Sequence, residues 1–234
     1  MTFAFATSNN PAAPFSDPQA LRSYADRTRR LVPGYADLLK MATVLVAERA
    51  PEQAQVLVVG AGGGAELNAF AQTHPGWRFV GVDPSEPMLQ MAQATLGPLA
   101  THVAFHQGYV HTAPAGPFDA ATCLLTMHFV GTEDRLPTLK EIHRRLKPGA
   151  PFVMAHLSFP QAVQEKELWL ARYADFAVSS GVDLEAARHA ASTIGSSLPL
   201  LGPDEEEARL QQAGFTGTRL LYAGLAFRGW VAYA

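Results

Sequence analysis

The sequence predicts an α/β fold: a seven-stranded, mostly parallel sheet covered by helices and finished by an antiparallel C-terminal hairpin. Strand-like runs at 56–59, 78–82, 102–106, 118–125 and 151–157 alternate with amphipathic stretches at 64–73, 85–95 and 134–146. Strands that alternate with helices form parallel sheets with right-handed crossovers. Two further runs, 216–222 and 225–233, are separated by little more than Ala223-Gly224, which is the spacing of a hairpin.

The elements follow in order. Residues 1–18 contain Pro11, Pro14 and Pro18 among small polar residues and are expected to be a mobile tail. Residues 19–234 are expected to be one domain. A helix is predicted to start near Asp17-Pro18, because proline tolerates the first helical turn, and to break at Pro33-Gly34. A second helix, from about Tyr35 to Arg49, buries Leu38, Leu39, Ala42, Leu45 and Val46. Val56 to Val59 is a continuous apolar run, as in a strand covered on both faces. Gly149 after Lys147-Pro148 closes the last helix of the alternating core. Residues 160–198 read as a helical insertion with little strand character. Pro203-Asp-Glu-Glu-Glu207 opens another helix, its acids set against the positive end of the dipole, and Gly214 ends it.

Composition excludes several function classes. The net charge is −3 and no basic stripe is present, so direct nucleic-acid binding is not expected. No run of 18 apolar residues marks a membrane span. The N-terminus lacks a basic region followed by an apolar segment, so a cytoplasmic location is expected. The single Cys123 lies in an apolar run and reads as a buried core thiol. His102, His106 and His111 have no metal-ligand spacing with acids or Cys123, so no metal is expected.

The chemistry is concentrated after the first strand. Gly60, Gly62 and Gly64 form a glycine-rich turn that leads into a helix. Glycine lets a ligand approach the backbone, and the helix N-terminus favours polar or anionic ligand groups. Asp83, at the tip of the second strand, lies 23 residues after Gly60. In nucleotide-binding βαβ units an acid at about that distance accepts hydrogen bonds from ribose hydroxyls. Helix N-capping, with Pro84 at the first helical position, is the other role open to Asp83, and both can hold at once. The spacing suits a nucleoside-containing cofactor but leaves a dinucleotide and S-adenosylmethionine both open.

The landmarks taken together resemble the class I S-adenosylmethionine-dependent methyltransferases. They are Val59-Gly-Ala-Gly-Gly-Gly64, Gly81-Val-Asp-Pro-Ser85 with Met88-Leu89, Phe118-Asp-Ala-Ala121, Leu146-Lys-Pro-Gly149 and Leu210-Gln-Gln-Ala-Gly-Phe215. The resemblance implies a Rossmann-like sheet with its last strand inserted antiparallel, and S-adenosylmethionine as cofactor. Arg30-Leu-Val-Pro-Gly-Tyr35, the helical insertion and the run Leu221 to Ala232 are similar to the carboxy-S-adenosylmethionine synthases, which serve a tRNA wobble-uridine modification. That resemblance makes Tyr35 a candidate cofactor contact. The chain also departs from the pattern. Val58 stands where an acid precedes the loop, Tyr109 where an acid follows the third strand, and Leu124 where an asparagine is expected. Arg188 is near, but not aligned with, the arginine that grips the extra carboxylate. These departures argue for a relative of the synthase.

The resemblance thus implies cofactor contacts at Tyr35, Gly60, Ala61, Gly62, Gly64, Asp83, Pro84, Met88, Tyr109, Val110 and Leu124. His128, just past the fourth strand, is the candidate base, since a neutral imidazole can take a proton from a hydroxyl or amine. The expected function is methyl transfer to a small-molecule acceptor. A synthase-like activity that takes its carboxyl from prephenate remains open, as does a binding protein with a degenerate site. Trp169, Tyr173 and Phe176 offer aromatic surface for a homodimer contact, with packing inside the chain as the alternative.

Overall fold

The computed structural model describes residues 24–234. The expected tail at 1–18 and the predicted helix start at Asp17-Pro18 lie outside the described residues. The elements run α1 (Tyr24–Leu31), α2 (Tyr35–Ala47), β1 (Gln55–Val59), α3 (Ala65–Thr73), β2 (Arg78–Asp83), α4 (Glu86–Leu96), β3 (Val103–Gln107), β4 (Ala120–Leu124) and α5 (Thr132–Arg144). They continue β5 (Pro151–Leu157), α6 (Val163–Ser179), α7 (Leu184–Ser197), α8 (Pro203–Gln212), β6 (Thr216–Gly224) and β7 (Phe227–Tyr233).

The seven strands form one sheet in the order β3-β2-β1-β4-β5-β7-β6. β1 to β5 are parallel, and β7 pairs antiparallel with both β5 and β6. Strand order reverses between β1 and β4, and open α/β sheets bind ligands in the crevice at such a point. The side chains of β1 alternate between two cores. Val56 and Val58 pack with Leu38, Leu67 and Phe70 on one face; Leu57 and Val59 pack with Leu139, Ile142 and Leu210 on the other. Cys123 is fully buried in the second core, as expected of a structural thiol.

Some boundaries differ from the sequence expectation for local reasons. β4 is shorter than 118–125. Phe118 makes only an isolated bridge to Leu146, and Leu125 leaves the strand at φ +56°. The hairpin turn is Leu225-Ala226 rather than Ala223-Gly224, because β6 continues to Gly224, which pairs with Phe227. Leu225 takes φ +51° there. Among the described residues no helix is long and apolar enough to cross a membrane.

The insertion is a helical pair, α6 and α7, between β5 and β6. Arg30 of α1 donates to the Gly181 carbonyl in the α6–α7 turn. Tyr222 of β6 donates to the Pro33 carbonyl just before α2. The N-terminal helices are therefore tied both to the insertion and to the hairpin. Tyr173 is buried near Phe227, with ring centroids 6.2 Å apart, so this aromatic packs inside the chain.

Candidate cofactor site

The glycine turn is held by β2. Gly60 and Ala61 donate their amides to the Val82 carbonyl at 2.8 and 3.0 Å. The next amide, Gly62, donates to Asp83 Oδ2 at 3.0 Å. Asp83 Oδ1 accepts from the Ser85 amide at 2.9 Å. One carboxylate thus ties the glycine turn to the start of α4. Burial raises the Asp83 carboxyl above its ordinary range, and the Ser85 and Gly62 amides oppose that rise. The N-cap of α4 is Ser85, whose hydroxyl accepts from the Met88 amide, and not Asp83 itself.

Close approach explains the glycines. Gly60 has φ +79°, and a Cβ there would sit 1.9 Å from Thr126 Oγ1. Gly64, also at φ +79°, lets α4 approach, because a Cβ would lie 2.7 Å from the Ala92 Cα. At Gly62 the Met88 methyl lies 3.0 Å from where a Cβ would be. Met88 and Ala61 are buried, and Pro84 is half-buried beside Asp83. The turn, Asp83 and Met88 are therefore one assembly. A nucleoside with a charged tail fits its chemistry: bare backbone for the tail, a carboxylate for the ribose hydroxyls and a thioether wall for a base.

The neighbouring edge is set by β3. Gly108 donates its amide to the Asp83 carbonyl at 3.0 Å, which brings the following residues beside β2. Tyr109 is partly exposed and lies parallel to His111, with centroids 6.0 Å apart. Val110 is buried next to it. Tyr35 opens α2 behind the left-handed Gly34 and packs at the edge of the core that holds α3.

The far wall is the end of β4. Leu124 is buried, and Leu125 turns out of the strand while its amide donates to the Ala155 carbonyl at 2.6 Å. Thr126 then folds over Gly60, its hydroxyl donating to the Leu124 carbonyl at 3.1 Å. His128 is buried on the next turn. Burial, then His156 and Arg135, hold its imidazole well below the ordinary histidine pKa. Its Nδ1 accepts from the Leu157 amide at 3.4 Å. In that tautomer the proton sits on Nε2, so His128 takes up a proton only by giving up the Leu157 contact.

Behind this wall lies a cluster that the sequence reading missed. Arg135, His156 and Glu206 are fully buried and come from α5, β5 and α8. Arg135 pairs with Glu206 Oε1, and His156 Nε2 meets the same oxygen at 2.9 Å. Arg135 also donates to the carbonyls of Val130, at the end of the β4 loop, and Pro199, at the end of the insertion. Burial pushes the Glu206 carboxyl up, but His156 and Arg135 more than offset it, and it lies below its ordinary value. Asp119 belongs to the opposite end of the sheet. It accepts from the Gln55 amide at 2.9 Å and from Lys147 at 2.6 Å, which is a structural role.

Known proteins are consistent with this architecture. Residues 56–149 match the family described as methyltransferase domain. The chain is 28% identical over 238 residues to the carboxy-S-adenosyl-L-methionine synthase of Chromohalobacter salexigens, covering 98% of this chain and 87% of that one. A S-adenosylmethionine-dependent methyltransferase from Aquifex aeolicus superimposes with a TM-score of 0.62 at 18% identity, covering 93% of this chain and 98% of that one. Human N-acetylserotonin methyltransferase, solved with S-adenosylmethionine, superimposes with a TM-score of 0.56 at 16% identity. It is covered over 62% of its length, against 96% of this chain.

Proposed function

We propose that this chain, whose residues 56–149 match a methyltransferase domain, methylates a small-molecule acceptor in the cytoplasm with S-adenosylmethionine as the methyl donor. The observation that carries the proposal is the Gly62 amide bound to Asp83 at the reversal of strand order, a built cradle for an adenosyl group. When bound, the cofactor supplies a methyl group made electrophilic by its sulfonium. The chain's own residues bind and align. Gly60, Ala61, Gly62 and Gly64 present backbone to the amino-acid end. Asp83 accepts from the ribose hydroxyls with the lone pairs its two amide partners leave. Pro84 and Met88 would wall an adenine, Tyr109 and Val110 would border its edge, and Leu124 would close the floor of the cleft. Tyr35 covers the cleft from α2.

Alignment alone can supply much of the rate of such a transfer. His128 then orients the β4 loop, and its proton on Nε2 is available as a donor. A His128→Ala variant separates this role from that of a base. Loss of a base is expected to cost about 10²–10⁴-fold in turnover and to remove an acidic limb from the pH–rate profile. Loss of an orienting group costs less and leaves the profile's shape unchanged, which is the outcome expected here.

The synthase-like reading is favoured by relatives named carboxy-S-adenosyl-L-methionine synthase, among them one that matches over 98% of this chain. Against it, the wall at Leu124 is apolar, and Arg188 stands on the exposed face of α7 in the groove shared with Glu167 and Asp175 of α6. Burying an extra carboxylate without a cation is costly. Calorimetric titration with S-adenosylmethionine, S-adenosylhomocysteine and carboxy-S-adenosylmethionine decides between them. Preference for the first two is expected. Strong preference for the carboxylated form moves the assignment to the synthase-like branch, and binding of none overturns the cofactor proposal.

A further inference from the structure

The glycine turn has a second acid beside it, one that the family resemblance does not point to. Glu66 stands in the first turn of α3, two residues past Gly64. Its side chain faces the sheet instead of solvent, and the residue is 7% exposed. It makes no ion pair among the described residues, and its Oε1 is buried without a hydrogen-bond partner. The hydroxyl of Thr122 on β4 faces the carboxyl and is the one polar side chain that pulls on it, without closing a hydrogen bond of good geometry. A buried Oε1 left without a partner is costly in a finished core.

The register places that pair. Thr122 is paired with Val58, so their side chains share the face that α3 covers. Glu66, which faces Thr122, therefore reaches the strand next to Val58, the position where the resembling family carries its acid. Leu124 is the next residue on that face toward the cleft, one pleat of about 6–7 Å further along.

Resting on the cofactor reading above, we infer that Glu66 is the counter-charge for the ammonium group at the amino-acid end of the cofactor, with Thr122 as its companion acceptor. The carboxyl gives up a proton when the ammonium arrives. Burial supports this, pushing the Glu66 carboxyl up to about 8 against the pull of the Thr122 hydroxyl. The titratable group coupled to it is the Cys123 thiol on β4, itself pushed up by burial and by Glu66, with Arg135 and Glu206 acting on that thiol from the far side. No cation is paired with it, so an arriving ammonium would be its partner.

Isothermal titration calorimetry at pH 6.5 in phosphate and in a buffer of high ionisation enthalpy counts the protons released. S-adenosylhomocysteine carries the ammonium; 5′-methylthioadenosine has the same nucleoside without the amino-acid end. The wild-type chain is expected to release close to one proton on binding the former and none on binding the latter. Glu66→Gln is expected to release none with either, to bind S-adenosylhomocysteine at least tenfold more weakly, and to bind 5′-methylthioadenosine unchanged. If both ligands bind the wild type with no buffer-dependent heat, the inference falls while the cofactor reading stands. If Glu66→Gln binds S-adenosylhomocysteine as tightly as wild type, it falls in the same way. If neither ligand binds, the cofactor reading fails and takes the inference with it. The wild-type count needs no variant, so misfolding of Glu66→Gln would not shield the inference.

Discussion

The two walls of the cleft are built from different materials. On the β1–β2 side the polar groups are backbone amides gathered by one carboxylate, with Gly62 and Ser85 both on Asp83. On the β4–β5 side they are side chains, with Arg135 and His156 both on Glu206 and no solvent contact. The first wall leaves bare backbone facing the cleft and is suited to hold a ligand. The second wall locks Val130 and Pro199 in place and is suited to hold the protein. One wall should therefore govern affinity and the other stability, and that division can be broken by experiment.

The largest effect is expected at Glu206. Glu206→Ala leaves a buried guanidinium without its carboxylate, and breaking a buried pair from one side costs about 3–5 kcal/mol. Urea denaturation measures it. A loss below about 1 kcal/mol would mean that the cluster is wet or rearranges, and the stability role of this wall would have to be given up.

Next comes Asp83. Asp83→Ala should weaken cofactor binding by roughly 1.5–3 kcal/mol, the scale of charge-assisted hydrogen bonds, with a smaller change in urea midpoint. Calorimetry on the folded variant reads it. Unchanged affinity would remove Asp83 from the site and the first wall with it.

Those two carboxylates also differ in how readily the sequence reveals them. Asp83 and Gly62 are 21 residues apart within one strand–turn–helix–strand unit, and both the acid and the glycines carry local signals. Arg135 and Glu206 are 71 residues apart. Glu206 sits in the run Asp204 to Glu207, which reads as a solvated helix start, and nothing in its neighbours marks the one acid of that run that turns inward. Glu66 was hidden in the same way. An acid in the first helical turn is expected to face the dipole and water, yet Phe70, one turn further on the same face, places it on the buried stripe. Leu125 is a third case. Its positive φ re-aims the chain at the cleft, and no residue type there announces it. β1, β4 and β5 are legible because their apolar runs are continuous. The β6–β7 turn was misplaced because Ala223-Gly224 carries the commoner turn chemistry.

Glu66 sharpens the comparison through pH. Its carboxyl is protonated up to about 8 in the folded chain and ionises near its ordinary value of 4.5 when exposed. Between these values the folded state holds the extra proton. Its contribution is thus full below pH 4.5 and is lost as pH rises through about 8, at up to about 1.4 kcal/mol per pH unit. Thermal melts of wild type and Glu66→Gln between pH 6 and 9 should diverge, the variant gaining on wild type as pH rises. Parallel curves would mean that Glu66 is already ionised and hydrated in the empty chain.

The smallest effect tests the division where it is weakest, at the insertion. Trp169 of α6 lies under two guanidinium groups, Arg172 at 4.5 Å and Arg228 of β7 at 5.1 Å from its ring. β7 is antiparallel to β5, with Leu157 opposite Phe227, so Arg228 stands at the end of the sheet where the cleft opens. The indole therefore joins the insertion to the hairpin close to where an acceptor would enter. Trp169→Leu keeps apolar bulk and removes the aromatic face. Arg228 remains anchored by its bonds to the Leu225 and Phe227 carbonyls, so the expected loss is only about 0.5–1 kcal/mol of stability. Cofactor affinity should not move, because the indole's cation contacts are with Arg172 of the insertion and Arg228 of the hairpin. A weakening comparable to that of Asp83→Ala would show that the insertion reports directly to the cofactor wall. The cleft would then act as one coupled unit, and the separation of affinity from stability would fail at its outermost point.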